Sequence, residues 1–200
     1  MSSQEDSQPS QGSVMTLVDD NRHEILYFAY GSNLSTAQMR ERCPYSTPIG
    51  LGHLAGWRWI INERGFANIV QLPADMEKPS TSATDERGVS TNEWGVYGLL
   101  YLLPPQDEER LDVYEGVPWA YQKLQADVRL VKDENGKDAD EVWRALVYVD
   151  GERVEEDAPR DEYVGRMERG IRDAVDNWGL DEAYANSVLR VFWAAKSDHK

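Results

Sequence analysis

Glu115 is the one acid in this chain whose surroundings single it out. The chain has 36 aspartates and glutamates, nearly all in charge runs, where a solvated face is the ordinary outcome. Glu115 instead sits within Val113-Tyr114-Glu115-Gly116-Val117-Pro118-Trp119, among aromatic and aliphatic residues at the C-terminal end of an expected helix. The negative end of the helix dipole and an apolar wall both disfavour a charged carboxylate there. A pKa raised toward neutrality suits a general acid or base. The same position also fits a carboxylate that bends to solvent or accepts a backbone hydrogen bond, and the residues alone leave both readings open.

A second stretch could face it. Ile25 to Asn33, Ile-Leu-Tyr-Phe-Ala-Tyr-Gly-Ser-Asn, has the composition of a buried strand that stops at a glycine followed by small polar residues. Ser35 and Gln38 have the spacing of a capping box for a short helix to about Arg42. The loop of Gly31, Ser32 and Asn33 should therefore sit at a helix N-terminus. Gly31 has access to backbone angles closed to other residues, and neighbouring amides could turn toward one anion or polarised oxygen. An ordinary strand-to-helix turn accounts for these residues equally well.

Other chemistries find little support. His23, His53 and His199 are scattered and no Cys or His pair has ligand spacing, so no metal site is expected. Phosphate-binding and dinucleotide-binding glycine patterns are absent. Cys43 is alone and precedes Pro44, and Ser32 lacks a Gly-x-Ser-x-Gly elbow. The formal charge of −15 argues against nucleic acid and anionic membrane surfaces and favours a small-molecule partner. A single cysteine, no signal-peptide pattern and no apolar run of ~20 residues point to a cytoplasmic chain without a membrane span.

The elements that must position these residues read as one domain over 21–200, preceded by a loose, polar tail over 1–20. After the first strand and short helix come an extended segment punctuated by Gly50, Gly52 and Gly56, a strand over Trp57–Ile61, a turn over Asn62–Gly65 and a strand over Ala67–Leu72. Residues 74–92 form an exposed insertion. Trp94–Leu103 has the near-continuous apolar pattern of a strand covered on both faces, with Gly95 and Gly98 marking curvature. A helix follows from Pro105 to about Tyr114, with Leu111 and Tyr114 facing inward, Gly116 ending it, and Asp107, Glu108 and Glu109 as solvated capping charges.

Leu124 to Leu130 alternates as a half-buried strand. A polar turn around Asn135-Gly136 joins it to Val142–Val149 as a hairpin. Asp161–Trp178 carries a helical apolar stripe stopped by Gly179, and Asp181 caps a last helix reaching Phe192 or Trp193. The order implies an α+β fold around a mostly antiparallel sheet or barrel.

Tyr27-Phe28-Ala29-Tyr30-Gly31-Ser32-Asn33-Leu34, followed by Trp94-Gly95-Val96, Glu115-Gly116-Val117, Tyr121 and Tyr163, resembles the gamma-glutamylcyclotransferase family from about Leu26 to Leu189. The resemblance implies a small mixed β-barrel with flanking helices, no cofactor, a gamma-glutamyl substrate and a homodimer. It implies an enzyme that turns a gamma-glutamyl amino acid or amine into 5-oxoproline and a free amine.

Carried over, Glu115 matches the catalytic acid/base. Tyr27, Phe28, Ala29, Tyr30, Gly31 and Ser32 match the substrate-binding loop, and Tyr163, Tyr121 and Tyr148 match pocket tyrosines. The 74–92 insertion and Pro118-Trp119 depart from the family pattern. A rival reading is a catalytically silent binding module of the same fold for a carboxylated metabolite, its ring-closing space obstructed by Trp119. A carboxylate-pair glycosidase ranks last, because no second positioned acid stands out.

Overall fold

The computed structural model describes residues 24–73 and 95–194. The expected tail over 1–20, the insertion over 74–92, Trp94, His23 and His199 lie outside the described residues. Seven strands and a set of helices follow the expected order. Strands β1 (Ile25–Ala29), β2 (Thr47–Ala55), β3 (Trp57–Ile61) and β4 (Ala67–Gln71) precede β5 (Gly95–Leu103), β6 (Gln122–Asp133) and β7 (Asp138–Val149). Helix α1 spans Thr36–Arg42, α2 Pro105–Glu115 and α3 Asp161–Trp178.

Five strands close into a barrel in the order β1-β5-β2-β6-β7, and β3 and β4 form a separate antiparallel pair. Every barrel pairing is antiparallel except the one between β1 and β7, so the barrel is mixed. In that closure Tyr27 of β1 stands opposite Tyr101 of β5 on one side and Leu146 of β7 on the other. The chain end of β1 is thereby held by two neighbours, and the loop that leaves it starts from a rigid edge.

The tight bends fall where glycine admits another backbone. A Cβ on Gly98 would stand 2.5 Å from the Ala29 carbonyl oxygen and 2.8 Å from the Phe28 ring, so only a bare backbone lets β1 and β5 approach this closely. The barrel interior holds Phe28, Val96, Leu100, Val128 and Val147, all fully covered, and alternation sends Leu99 to the outer face, where it is covered as well. Helix α3 adds Tyr163, Met167, Ile171 and Ala174 along one face, with Gly179 in the left-handed conformation at its end (φ 76°).

The last helix departs from expectation. Asp181 does accept the Ala183 N–H at 2.7 Å, but the segment beyond it is broken into a short α-turn (Glu182–Tyr184), a wider π-turn (Ala185–Leu189) and a final turn (Val191–Ala194). The wider turn lets Ala185 and Leu189 both reach the core. No helix among the described residues is long and apolar enough to cross a membrane.

Candidate active site

The loop after β1 turns immediately into a 3-10 turn over Ser32–Leu34 and then into α1. Ser35 caps α1 as expected, its hydroxyl accepting the Gln38 N–H at 3.3 Å. Gln38 does not complete the capping box. Its Nε2 donates instead to Ser32 Oγ and Asn33 Oδ1, both at 2.9 Å, so the side chain expected to finish the cap braces the loop.

Gly31 is needed for space rather than for backbone angle. Its φ is −106°, but a Cβ there would lie 3.0 Å from the Tyr163 hydroxyl and 3.3 Å from Ala67 Cβ. The backbone N–H groups of Ser32 and Ala67 both point at that hydroxyl oxygen. The start of α1 is also occupied, since the Thr36 N–H and hydroxyl both donate to Asp173 of α3 at 2.7 Å. The expected set of free amides at a helix N-terminus is therefore corrected. Those groups dock α3 against the loop, and what faces the cleft is mainly side chains.

Asn33 organises them. Its Nδ2 donates to the Tyr27 hydroxyl at 3.0 Å and to Glu115 Oε1 at 3.1 Å. Its Oδ1 accepts from Gln38 Nε2 at 2.9 Å and from an Arg42 terminal nitrogen at 3.1 Å. A guanidinium can only donate, so the oxygen must face Arg42 and the NH2 must face Glu115. The backbone carbonyl of Asn33 accepts from the Tyr101 hydroxyl at 3.1 Å, which ties the same residue to β5.

Glu115 is the last residue of α2, followed by Gly116 in the left-handed conformation (φ 66°). Its side chain is 16% exposed and lies 4.0 Å from Arg42. Burial raises its pKa above the ordinary carboxylate value, and this is opposed by Arg42, the Asn33 hydrogen bond, Arg64 and Arg166. The carboxyl is thus dry, yet held by one donor and within reach of three cations.

Around it opens a cleft of about 170 Å³ whose walls include Tyr27, Tyr30, Gly31, Ser32 and Asn33 on the loop side and Tyr114, Tyr121, Tyr148 and Tyr163 elsewhere. The tyrosines are fixed by hydrogen bonds. Tyr30 donates to the Tyr148 carbonyl at 2.5 Å, Tyr121 to the Ala67 carbonyl at 2.7 Å and Tyr148 to Asp112 at 2.7 Å. Burial pushes the Tyr163 phenol up to about 12 and raises Tyr27, Tyr30 and Tyr121 as well. These hydroxyls stay protonated at neutral pH and can donate to a bound oxygen.

Several sequence expectations are corrected here. Phe28 and Ala29 are fully buried and do not line the cleft: alternation along β1 sends the Phe28 ring against Gly98, while Ala29 packs into the core. Tyr114 is 53% exposed rather than turned inward, because the covered face of α2 runs through Asp107, Leu111 and Glu115 at four-residue spacing. Tyr114 lies at the rim under Arg42, 4.9 Å from ring centre to guanidinium carbon. Asp107 is not a solvated cap but fully buried. Trp119 is 85% exposed and is not part of the cleft wall. Asn33, Arg42, Arg64 and Arg166 line the cleft; the sequence reading placed Asn33 in the loop without a role for its side chain and gave the three arginines no site role. Among the described residues no group of three or more His, Cys, Asp or Glu could hold a metal ion.

Comparisons with known proteins bear on the family and the fold. A family model described as gamma-glutamyl cyclotransferase, AIG2-like, matches residues 27–165. No curated protein matches in sequence. Among solved structures, a gamma-glutamyl cyclotransferase is 22% identical with a TM-score of 0.59, over 82% of this chain and 86% of that one. An uncharacterized protein from Homo sapiens gives the same identity, score and coverage. YkqA from Bacillus subtilis is 21% identical with a TM-score of 0.59, over 86% of this chain and 55% of its own. These likenesses concern the fold.

Proposed function

Starting from a chain that belongs to the gamma-glutamyl cyclotransferase, AIG2-like family, we propose that its cleft closes a gamma-glutamyl amino acid or amine on itself, releasing 5-oxoproline and the free amine. The observation that carries this reading is the dry Glu115 carboxyl, held by Asn33 opposite the Gly31-Ser32 turn. In such a substrate the nucleophile is its own α-amine, so the protein needs to supply orientation and a proton carrier rather than a serine or cysteine.

In the proposed reaction the α-amine nitrogen attacks the side-chain carbonyl carbon, forming the fifth bond of the ring. Glu115 takes the proton that the nitrogen sheds. As the bond from that carbon to the departing nitrogen breaks, Glu115 returns the proton to it, and the carboxylate is restored. The oxygen that gains negative charge on the way needs a donor. Tyr27 suits this role, since its hydroxyl accepts from Asn33 and its own proton is free to turn to the cleft. Asn33 positions both groups. Tyr30, Gly31, Ser32, Tyr121 and Tyr163 shape the space that folds the glutamyl chain.

Cyclisation is tested by incubating the purified chain with a panel of gamma-glutamyl amino acids and amines and detecting 5-oxoproline by mass spectrometry. Formation from at least one member supports the reading, and its absence from all of them, with binding retained, overturns it. The rival silent module drew on obstruction by Trp119. That side chain is 85% exposed and does not line the cleft, so no observation favours it.

A further inference from the structure

The phenols that line the cleft differ in what they do with their protons. Tyr30 and Tyr121 spend theirs on backbone carbonyls. Tyr27 and Tyr163 accept on their oxygens, Tyr27 from the Asn33 amide and Tyr163 from the N–H groups of Ser32 and Ala67, and each keeps its own proton for the cleft. Tyr148 is the exception. Among the described residues it is the one cleft phenol that donates to a carboxylate, Asp112 Oδ1 at 2.7 Å.

That carboxylate is itself fixed. Lys123 Nζ lies 2.7 Å from Asp112 Oδ2 and donates to Glu108 Oε1 at 2.6 Å. Lys123 stands opposite Tyr148 in the ladder of β6 and β7, so both strands and α2 meet at this point. Burial and the bond to Asp112 both raise the Tyr148 pKa. With its proton committed, Tyr148 offers only oxygen lone pairs, and the charged acceptor behind that proton makes the oxygen a stronger acceptor in turn. Tyr27, whose ring centre lies 5.7 Å away in an edge-to-face contact, offers a proton instead. Two neighbouring phenols thus present opposite polarity.

We propose that Asp112 is a positioning residue: by holding the Tyr148 proton it makes the Tyr148 oxygen an acceptor for the attacking α-amine of the gamma-glutamyl compound. This rests on the cyclotransferase reading. The amine must aim its lone pair at the side-chain carbonyl carbon, and holding two of its N–H bonds fixes that aim. One proton passes to Glu115. The N–H held by Tyr148 stays on nitrogen and becomes the N–H of 5-oxoproline, while Tyr27 donates to the carbonyl oxygen. The opposed polarity favours the chain with its nitrogen toward Tyr148 and its carbonyl toward Tyr27, and disfavours the reverse.

The test measures kcat/KM for gamma-glutamyl-alanine in the native chain, D112N, Y148F and the double variant, together with the inhibition constant of glutaryl-alanine, which lacks the α-amine. In D112N, Lys123 claims the amide oxygen, so the NH2 faces Tyr148 and turns the phenol proton toward the cleft. Each single variant is expected to lose about tenfold in kcat/KM, the scale of one hydrogen bond to a charged group. The double variant is expected to be no slower than Y148F, because Asp112 acts through that hydroxyl. Glutaryl-alanine is expected to inhibit all four chains equally. Losses that multiply in the double variant, or a matching weakening of glutaryl-alanine, overturn the proposal and leave the cyclotransferase reading standing. If the native chain forms no 5-oxoproline, that reading falls and calorimetry decides the amine contact. Tighter binding of gamma-glutamyl-alanine than of glutaryl-alanine, lost in D112N and Y148F, then keeps the contact, and equal binding overturns both.

Discussion

The two ends of α2 carry two carboxylates on its covered face, one fully buried and one opening on a cleft, with opposite fates. Asp107, in the first turn, is 0% exposed; its Oδ2 accepts the Tyr45 N–H at 2.7 Å. It lies at the positive end of the helix dipole, which suits negative charge. Its backbone carbonyl accepts the Cys43 thiol at 3.5 Å, and burial, with Asp107 adding to it, pushes that thiol up to about 12. This end is a closed joint between α1 and α2, with an inert cysteine in it. Glu115, eight residues on along the same covered face, meets the negative end of the dipole, a tyrosine-lined cleft and a single side-chain donor. The comparison teaches that the helix end and the access to a cleft separate a structural acid from a reactive one on a single covered helix face.

The most severe way to break the contrast is to remove the proton carrier. E115Q keeps shape and is expected to lower kcat for 5-oxoproline release by about 10²- to 10⁴-fold, measured by mass spectrometry under saturating substrate; a variant at the parent rate would sink the assignment. D107A should do the reverse. It removes a fully buried carboxylate together with the acceptor of the Tyr45 N–H, so a loss of about 1–3 kcal/mol in denaturant stability is expected with kcat little changed.

N33A sharpens the contrast from the side of the donor. Without the Asn33 amide, Glu115 loses a bond that favours its charged form, so the acid limb of the kcat/KM profile should move to higher pH and kcat should fall about tenfold. An acid limb that does not move would mean that Asn33 braces the loop and nothing more.

The smallest effect is on stability against pH. The folded pKa of Glu115 is raised, so folding favours its protonated form. Its contribution is fully present below the unfolded pKa and is lost as pH rises through the folded one. E115Q, which cannot ionise, should therefore gain in Tm over the native chain at neutral pH and lose that gain in acid. A Tm difference that stays flat across the titration would contradict the sign.

Much of this was legible in the sequence, for local reasons. The apolar run of β1, its abrupt stop at Gly31, the Ser35 cap and the apolar neighbours of Glu115 are all encoded within a few residues. The curvature implied by Gly98 came true as a barrel, because a missing Cβ is visible in the sequence even when the strand it admits is not. What escaped reading was long-range. Asn33 reaches Glu115 across 82 positions, and nothing beside Arg64 or Arg166 marks them as facing the same cleft.

Two misreadings have a nameable cause. Taking β1 to Gly31 as one binding stretch ignored alternation, which turns Phe28 away from Tyr27. Pairing Leu111 with Tyr114 used three-residue spacing where the four-residue row of Asp107, Leu111 and Glu115 was the covered one. That row, read as a face, would have exposed both acids together.

The central claim is that Glu115 is kept dry enough to hold and pass a proton. It is tested most directly by following the carboxyl carbons by carbon-13 NMR through a pH titration, with E115Q assigning the signal. The account predicts a midpoint above the ordinary value of about 4.3 for glutamate, rising further in N33A. A midpoint at or below that value would contradict it.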